Sequence, residues 1–273
     1  MYDNISLICP LCSEKLRRKD KSYVCENRHS FDIAKQGYVN LLPVQSKHSL
    51  TPGDTKSMLS ARRNFLDKGM YEPVCRSVCE RLKKYVSTQA PVVIDAGCGE
   101  GYYTCAVMNE GFSCIGVDIA KEAARMACSR SKDVLWTVAT VSHLPVASES
   151  ADAVTAIFSL FMNDEYARVL KSGGIVVEIT AGSKHLTELK QLIYSEVYEQ
   201  HKKPSPFKEQ FEQLECVNES FVFEVNHQEL VDLLMMTPHI HRIKKEKENT
   251  LDNIEKLSIT ADYIIRVLRK RQG

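Results

Sequence analysis

No stretch of the 273-residue chain stays apolar long enough to span a bilayer, which argues against a membrane-embedded protein. The first twenty residues are too polar for the apolar core of a secretory signal, so the chain is expected in the cytoplasm. Internal repeats and low-complexity tracts are missing as well, which sets aside solenoids and disordered tails. Neither sign of charge is in clear excess, at a net +1. That balance hides an asymmetry: residues 1–90 carry 16 Lys and Arg against 9 Asp and Glu, and the remainder 20 against 26. A front half at +7 joined to a remainder at −6 points to a front that faces a polyanion, or to a solvated basic surface without a partner. The length suffices for one good-sized core plus a smaller module.

The chain is organised around residues 92–104. Val92-Val93-Ile94 is a β-branched run of the kind found in buried parallel strands, and it leads into Asp95-Ala96-Gly97-Cys98-Gly99-Glu100-Gly101. Glycine at every second position lets the backbone turn sharply and approach a ligand closely, with the free N–H groups of the next helix beside it. A dinucleotide fold uses G-x-G-x-x-G. The spacing here, Asp95-x-Gly97-x-Gly99-x-Gly101, resembles instead the first motif of Rossmann-like S-adenosylmethionine methyltransferases. One β-α-β unit further on, the run Phe112 to Val117 ends in Asp118, a carboxylate placed to accept from both ribose hydroxyls of a nucleoside.

Ten cysteines without an export signal argue for metal ligands and small core residues rather than disulfides. Cys9-x2-Cys12, followed by Cys25-x3-His29, is the spacing of a tetrahedral zinc site. Four protein ligands leave no open position, so the metal is expected to be structural. The zinc module is expected over residues 1–45, a linker and helical segment over 46–90, and the catalytic domain over 91–273.

Apolar spacing predicts helix from Lys56 to about Val86, broken near Gly69 and Pro73. Cys75 and Cys79 share a face of it, as core residues or as a metal pair; Arg62 and Arg63 suit either phosphate contact or exposed helix charge. Further strands are expected at 134–138, 153–157, 175–179, 220–225 and 259–268. Helices are expected at 120–131, 163–170 and 227–236, with a long one from about Ala181 to Gln200. Residues 201–213 read as a loop or lid, and Lys244 to Lys247 as a solvated helix face. Thr140 stands where many such methyltransferases carry an Asp for the adenine amine. His185, near the start of the helix from Ala181, would sit at the pocket mouth or stand as an ordinary surface or capping residue.

Together the zinc spacing, the run Phe31-Asp32-Ile33-Ala34-Lys35-x-Gly37-Tyr38-Val39-Asn40-Leu41-Leu42-Pro43, the glycine motif and Met236-Thr237-Pro238 resemble the bacterial 23S ribosomal RNA guanine-N1 methyltransferases over nearly the whole chain. The resemblance implies an α/β fold, with a Rossmann-like class I methyltransferase sheet and a small N-terminal zinc ribbon. It implies zinc at Cys9, Cys12, Cys25 and His29. It implies cofactor contacts at Gly99 and Glu100, and at Tyr71 and His185, which match a family tyrosine and histidine at the cofactor site. Asp95, Gly97, Gly101 and Asp118 complete the expected set. A large-subunit RNA hairpin as substrate and a homodimer are implied as well. Three places depart from the family pattern: Leu160 and Ser172, where relatives carry proline, and Ala181 to Ser183, where they have a proline-bearing turn.

Guanine N1 carries a proton at neutral pH, so a base is expected, and Asp164 and Glu165 beyond the fourth strand are the nearest acids on topology. N1 lies on the pairing edge, so the target must be unpaired or turned out, with Phe158 and Phe161 as candidates to stack on it or as plain core. Two rival readings stand beside this one: a methyltransferase acting on another RNA or a small molecule, and a zinc-ribbon RNA-binding protein whose methyltransferase domain binds cofactor without turnover.

Overall fold

The computed structural model describes residues 4–43, 53–194, 206–242, 251 and 254–272. The zinc module gives three short antiparallel strands, β1 (Arg17–Lys19), β2 (Ser22–Val24) and β3 (Ser30–Asp32), and then the two-residue β4 (Val39–Asn40). Two helices follow. Thr55 caps α1 (Lys56–Leu66) by accepting from the Met58 amide, and α2 (Glu72–Tyr85) has Pro73 in its first turn, where no intrahelical donor is lost. The break between them falls at Gly69, whose φ is +82°, as the sequence predicts.

The catalytic half alternates β5 (Val92–Ala96), α3 (Tyr102–Asn109), β6 (Ser113–Asp118), α4 (Lys121–Arg130), β7 (Leu135–Val138), β8 (Ala151–Ile157), α5 (Asn163–Val169), β9 (Leu170–Ala181) and α6 (Thr187–Ile193). It closes with β10 (Phe211–Asn226), α7 (His227–Met235) and β11 (Lys256–Lys270). One eight-stranded sheet runs β10-β11-β9-β8-β5-β6-β7-β4. Its strands are parallel except β11, which runs antiparallel to both β9 and β10.

β4 belongs to the N-terminal segment yet lies at the edge of this sheet, with Val39 opposite Thr137 and Asn40 opposite Val138. A second seam joins Leu7 to Val146, where the amides of Ile8 and Ala147 donate to the carbonyls of Pro145 and Ser6. One face of the sheet is covered by α2, α3, α4, α6 and α7, with α1 against them. The other is covered by α5 and by Leu7, Leu16, Tyr23 and Leu41 of the zinc module. The connection from β7 to β8 has no helix, and the zinc module fills the place where one would pack.

Two expectations need correction. The helix predicted from Ala181 starts only at Thr187, because β9 continues through Ala181 and residues 182–186 form a turn ending in Leu186 at φ +54°. The strand predicted over 220–225 is β10, sixteen residues long, whose pairing with β11 sustains it through its polar first half. Residues 206–210 are irregular; 201–205, the linker over 46–52, residues 195–200 and the run 244–247 lie outside the described residues.

Candidate active site and metal centre

Cys9, Cys12, Cys25 and His29 converge, with one ligand atom from each lying within 4.8 Å of all the others. Cys12 Sγ and Cys25 Sγ are 3.7 Å apart, and His29 Nδ1 lies 3.4 and 3.5 Å from the sulfurs of Cys25 and Cys9. Two thiolates bound about 2.3 Å from a tetrahedral centre sit about 3.8 Å apart, so the four residues fit a zinc ion. The backbone prepares this geometry: the Ser13 amide bonds back to the Cys9 carbonyl, and the Arg28 amide to the Cys25 carbonyl.

The glycine turn is held from both sides. The amides of Gly97 and Cys98 donate to the Val117 carbonyl, and the Gly99 amide donates to Asp118 Oδ2 at 2.9 Å. Gly97 has φ +87°, and a Cβ there would collide with the Ser159 side chain, so the turn after β5 and the loop after β8 are in direct contact. Asp118 Oδ1 accepts from the Ala120 amide at 2.8 Å. Each carboxylate oxygen keeps a further acceptor site, and burial raises the Asp118 pKa. The first turn of α3 adds amides that have no acceptor within the helix.

Asp95 and Glu100 point away from this surface. Asp95 Oδ1 accepts from Thr155 at 2.9 Å and Oδ2 from Thr104 at 2.5 Å, and burial pushes its pKa up to about 6. Glu100 is 1% exposed and is gripped by Arg130 and Arg63. Its side chain anchors the turn to α1 and α4, which leaves the main chain of residue 100 for any ligand. Arg63 also reaches Ser129 and the Met126 carbonyl, and Arg62 pairs with Asp54 at 2.6 Å and donates to the Met236 carbonyl. Both arginines are thus engaged within the fold rather than left as loose surface charge. Arg62 also lies against Gly99, whose added Cβ would stand 3.4 Å from Nη1.

Tyr71 is 2% exposed at the start of α2, ringed by Phe65, Phe158, His185, Phe221 and Phe223. Its hydroxyl is buried without a hydrogen-bond partner. Such a group costs free energy unless a ligand completes it. His185 stands 6.4 Å from Tyr71 between ring centroids. Burial lowers its pKa to about 4, and its Nδ1 accepts from the Asp262 amide at 3.3 Å, which leaves the proton on Nε2. His185 is therefore a neutral donor. An orphan hydroxyl, a neutral imidazole, a glycine turn and a strand-end carboxylate fit a nucleoside cofactor that also carries an amino-acid group.

Asp164 and Glu165 occupy the first turn of α5. Glu165 accepts from the Leu144 amide and from two nitrogens of Arg168, fixing the loop after β7. Asp164 is exposed and paired with Lys208, which lowers its pKa. Thr140 folds into a local turn with Ser142. Cys75 and Cys79 are buried, with pKa values pushed to about 12 and about 11 by desolvation, and stand as core residues.

Sequence reasoning missed Asp262. Asp262 Oδ2 accepts from the Lys184 amide at 2.7 Å and Oδ1 from Asn218 at 2.7 Å, so it shapes the turn that presents His185. No local motif marks Asp262, which meets the site only through tertiary packing.

The fold and the two sites define a class I S-adenosylmethionine-dependent methyltransferase joined to a zinc ribbon. Residues 7–50 match the family described as the N-terminal zinc ribbon of RlmA, and residues 94–177 match the methyltransferase domain family. A 23S rRNA (guanine-N1)-methyltransferase of Micromonospora griseorubida, provisionally so named, is 33% identical over 67% of this chain and 68% of its own. The 23S rRNA (guanine(748)-N1)-methyltransferase of Streptomyces fradiae is 34% identical over 67% of this chain and 66% of its own. A Bacillus subtilis (strain 168) protein with the same provisional name is 29% identical over 95% of both chains. The chain belongs to the family of 23S rRNA (guanine-N1)-methyltransferases.

Proposed function

We propose that this protein transfers a methyl group from S-adenosylmethionine to N1 of one guanine in 23S rRNA. The observation that carries the reading is the joining, in one chain of this family, of a closed Cys3His site to a glycine turn faced by a buried, unpartnered tyrosine hydroxyl. The cofactor supplies a methyl group already activated for displacement by its sulfonium. Asp118 would accept from the ribose hydroxyls. The Tyr71 hydroxyl and His185 Nε2 would donate to the carboxylate of the amino-acid end, and the main chain of residues 97–101 would line the rest.

The protein's remaining task is to bring the acceptor nitrogen into line. N1 is on the pairing edge, so the base must be presented outside its helix. In this reading neither Glu165 nor Asp164 takes the N1 proton, since the first is consumed in Arg168 and a backbone amide and the second in Lys208; as the N1–CH3 bond forms and the S–CH3 bond breaks to leave S-adenosylhomocysteine, that proton passes to solvent water. A crevice of about 200 Å³ lies between the zinc module and α4, lined in part by Arg18 and Lys132, and one of about 290 Å³ lies between α1 and α4 beside Gln36, lined in part by Arg63, Arg125 and Lys132. With the exposed strand Arg17-Arg18-Lys19 they give the front of the molecule the basic character that an RNA backbone needs.

A homodimer, and work in the cytoplasm where ribosomal RNA is found, complete the proposal; no helix among the described residues is long and apolar enough to cross a membrane. The test is incubation of the pure protein with labelled cofactor and 23S rRNA from a strain lacking the gene. Label in that RNA is expected, and cofactor binding without transfer to it would contradict the reading.

A further inference from the structure

Phe158 follows β8 in a backbone conformation that aromatic residues rarely take. Its φ is +51°, in the left-handed region where a Cβ is penalised, and it is the one aromatic residue among the described positive-φ positions. No turn chemistry accounts for this. Its amide still donates to the Ile179 carbonyl at 2.9 Å, so strand pairing continues up to the residue that is twisted.

The twist has a consequence for the ring. All seven residues of β8 are buried, yet Phe158 directly after them is 41% exposed. The ring is steadied on its inner side, 5.5 Å from His185 and 6.3 Å from Tyr71 between centroids. Its chain neighbour Ser159 is pressed onto Gly97 of the cofactor turn. The exposed ring thus stands beside both halves of the cofactor site. Two residues on, Leu160 is 64% exposed, and Phe207 follows Pro206, whose carbonyl accepts from Asn163 just after the same loop. Three of the six large apolar side chains exposed among the described residues lie in this loop and in the segment bonded to Asn163 beyond it.

We propose that Phe158 is the platform on which the target base stacks once it has left its helix, and that the left-handed backbone aims the ring at that base. The inference rests on the RNA methyl transfer proposed above. A base turned out of a helix loses its stacking neighbours, and an aromatic ring restores one of them whatever the base. A ring left half exposed beside the methyl donor is placed to hold the acceptor at reacting distance.

The test compares Phe158→Leu, Phe158→Tyr and Phe158→Gly with the parent protein, reading S-adenosylhomocysteine binding by calorimetry and kcat/KM on 23S rRNA from a strain lacking the gene. Phe158→Leu is expected to keep cofactor affinity within about twofold and to lose roughly 5- to 150-fold in kcat/KM for RNA, the worth of one stacked base. Phe158→Tyr is expected to restore most of the rate. Phe158→Gly is expected to lose rate as Leu does while its unfolding midpoint does not fall, because glycine accepts this φ without strain. A Phe158→Leu protein whose cofactor affinity falls in step with its rate would assign the ring to the cofactor and overturn the inference. So would a Phe158→Leu protein as active as the parent. A parent protein that binds cofactor and labels no 23S rRNA overturns the proposed function and this inference with it; a parent that labels the RNA isolates any failure to the inference.

Discussion

The main-chain amide of Asp262 donates to Nδ1 of His185 at 3.3 Å, while the carboxylate of the same residue accepts from the Lys184 amide one position earlier in the turn. One residue of β11 therefore sets both the tautomer of the histidine and the path of the chain that carries it. The contact tolerates nothing larger than Gly182, because a Cβ there would overlap the Asp262 carboxylate. Gly182→Ala should weaken S-adenosylhomocysteine binding roughly 5- to 150-fold, since overpacking of about 1–3 kcal/mol falls on the turn that holds His185. Calorimetry on Gly182→Ala, on Asp262→Ala and on the double variant checks this: the double variant should bind no worse than Asp262→Ala alone.

His185 also makes the fold sensitive to acid. Its pKa falls from 6.5 to about 4 on burial, so between those values the unfolded chain binds more protons than the folded one. The stability this contributes is fully present above about pH 6.5 and drains away as the pH falls toward 4. His185→Gln is neutral throughout, so its unfolding midpoint should change less than the parent's across that window. Thermal unfolding at half-unit pH steps reads the difference directly.

The two acids of α5 separate stability from catalysis. Glu165→Gln should lower the unfolding midpoint by several degrees, because Arg168 and the Leu144 amide lose a charged acceptor worth about 1.5–3 kcal/mol. Asp164→Asn should leave the midpoint unchanged and the methyl transfer rate within about twofold of the parent, as expected for an exposed ion pair with Lys208. A large loss of rate with unchanged stability in either variant would return that residue to the role of base.

Loss of zinc should be felt in the catalytic half. Cys9 and Cys25 belong to the same buried cluster as Val92, Ile94 and Tyr166, and β4 pairs with β7. Chelation, or Cys12→Ser, should therefore lower the midpoint of the whole molecule in one transition rather than unfold a detachable module. Calorimetry alongside a zinc assay, expected to give about one ion per chain, decides between the two.

The zinc ligands and the glycine turn were legible because their spacing is itself the chemistry: four ligands must meet at one point, and a strand must turn sharply beneath a ligand. The helix break at Gly69 and Pro73 was legible for the same local reason. Glu100 was not, since its burial depends on Arg63 from α1 and Arg130 from α4, far apart in sequence. β4 was not, because two residues carry no period, and their pairing is fixed by β7 a hundred residues later. The turn at 182–186 reads as the start of a helix until Asp262 is seen to hold it.

The measurement that bears most directly on the account is the mapping of the modified base. Methyl transfer by the pure protein to 23S rRNA from a strain lacking the gene would be followed by reverse transcription across the product. Methylation at N1 blocks pairing, so one new arrest is expected beside one guanine, dependent on the cofactor and weakened in Phe158→Leu at matched enzyme concentration and short times. Transfer that leaves reverse transcription uninterrupted would contradict N1 chemistry, and a protein that binds the cofactor but transfers nothing to this RNA would contradict the account as a whole.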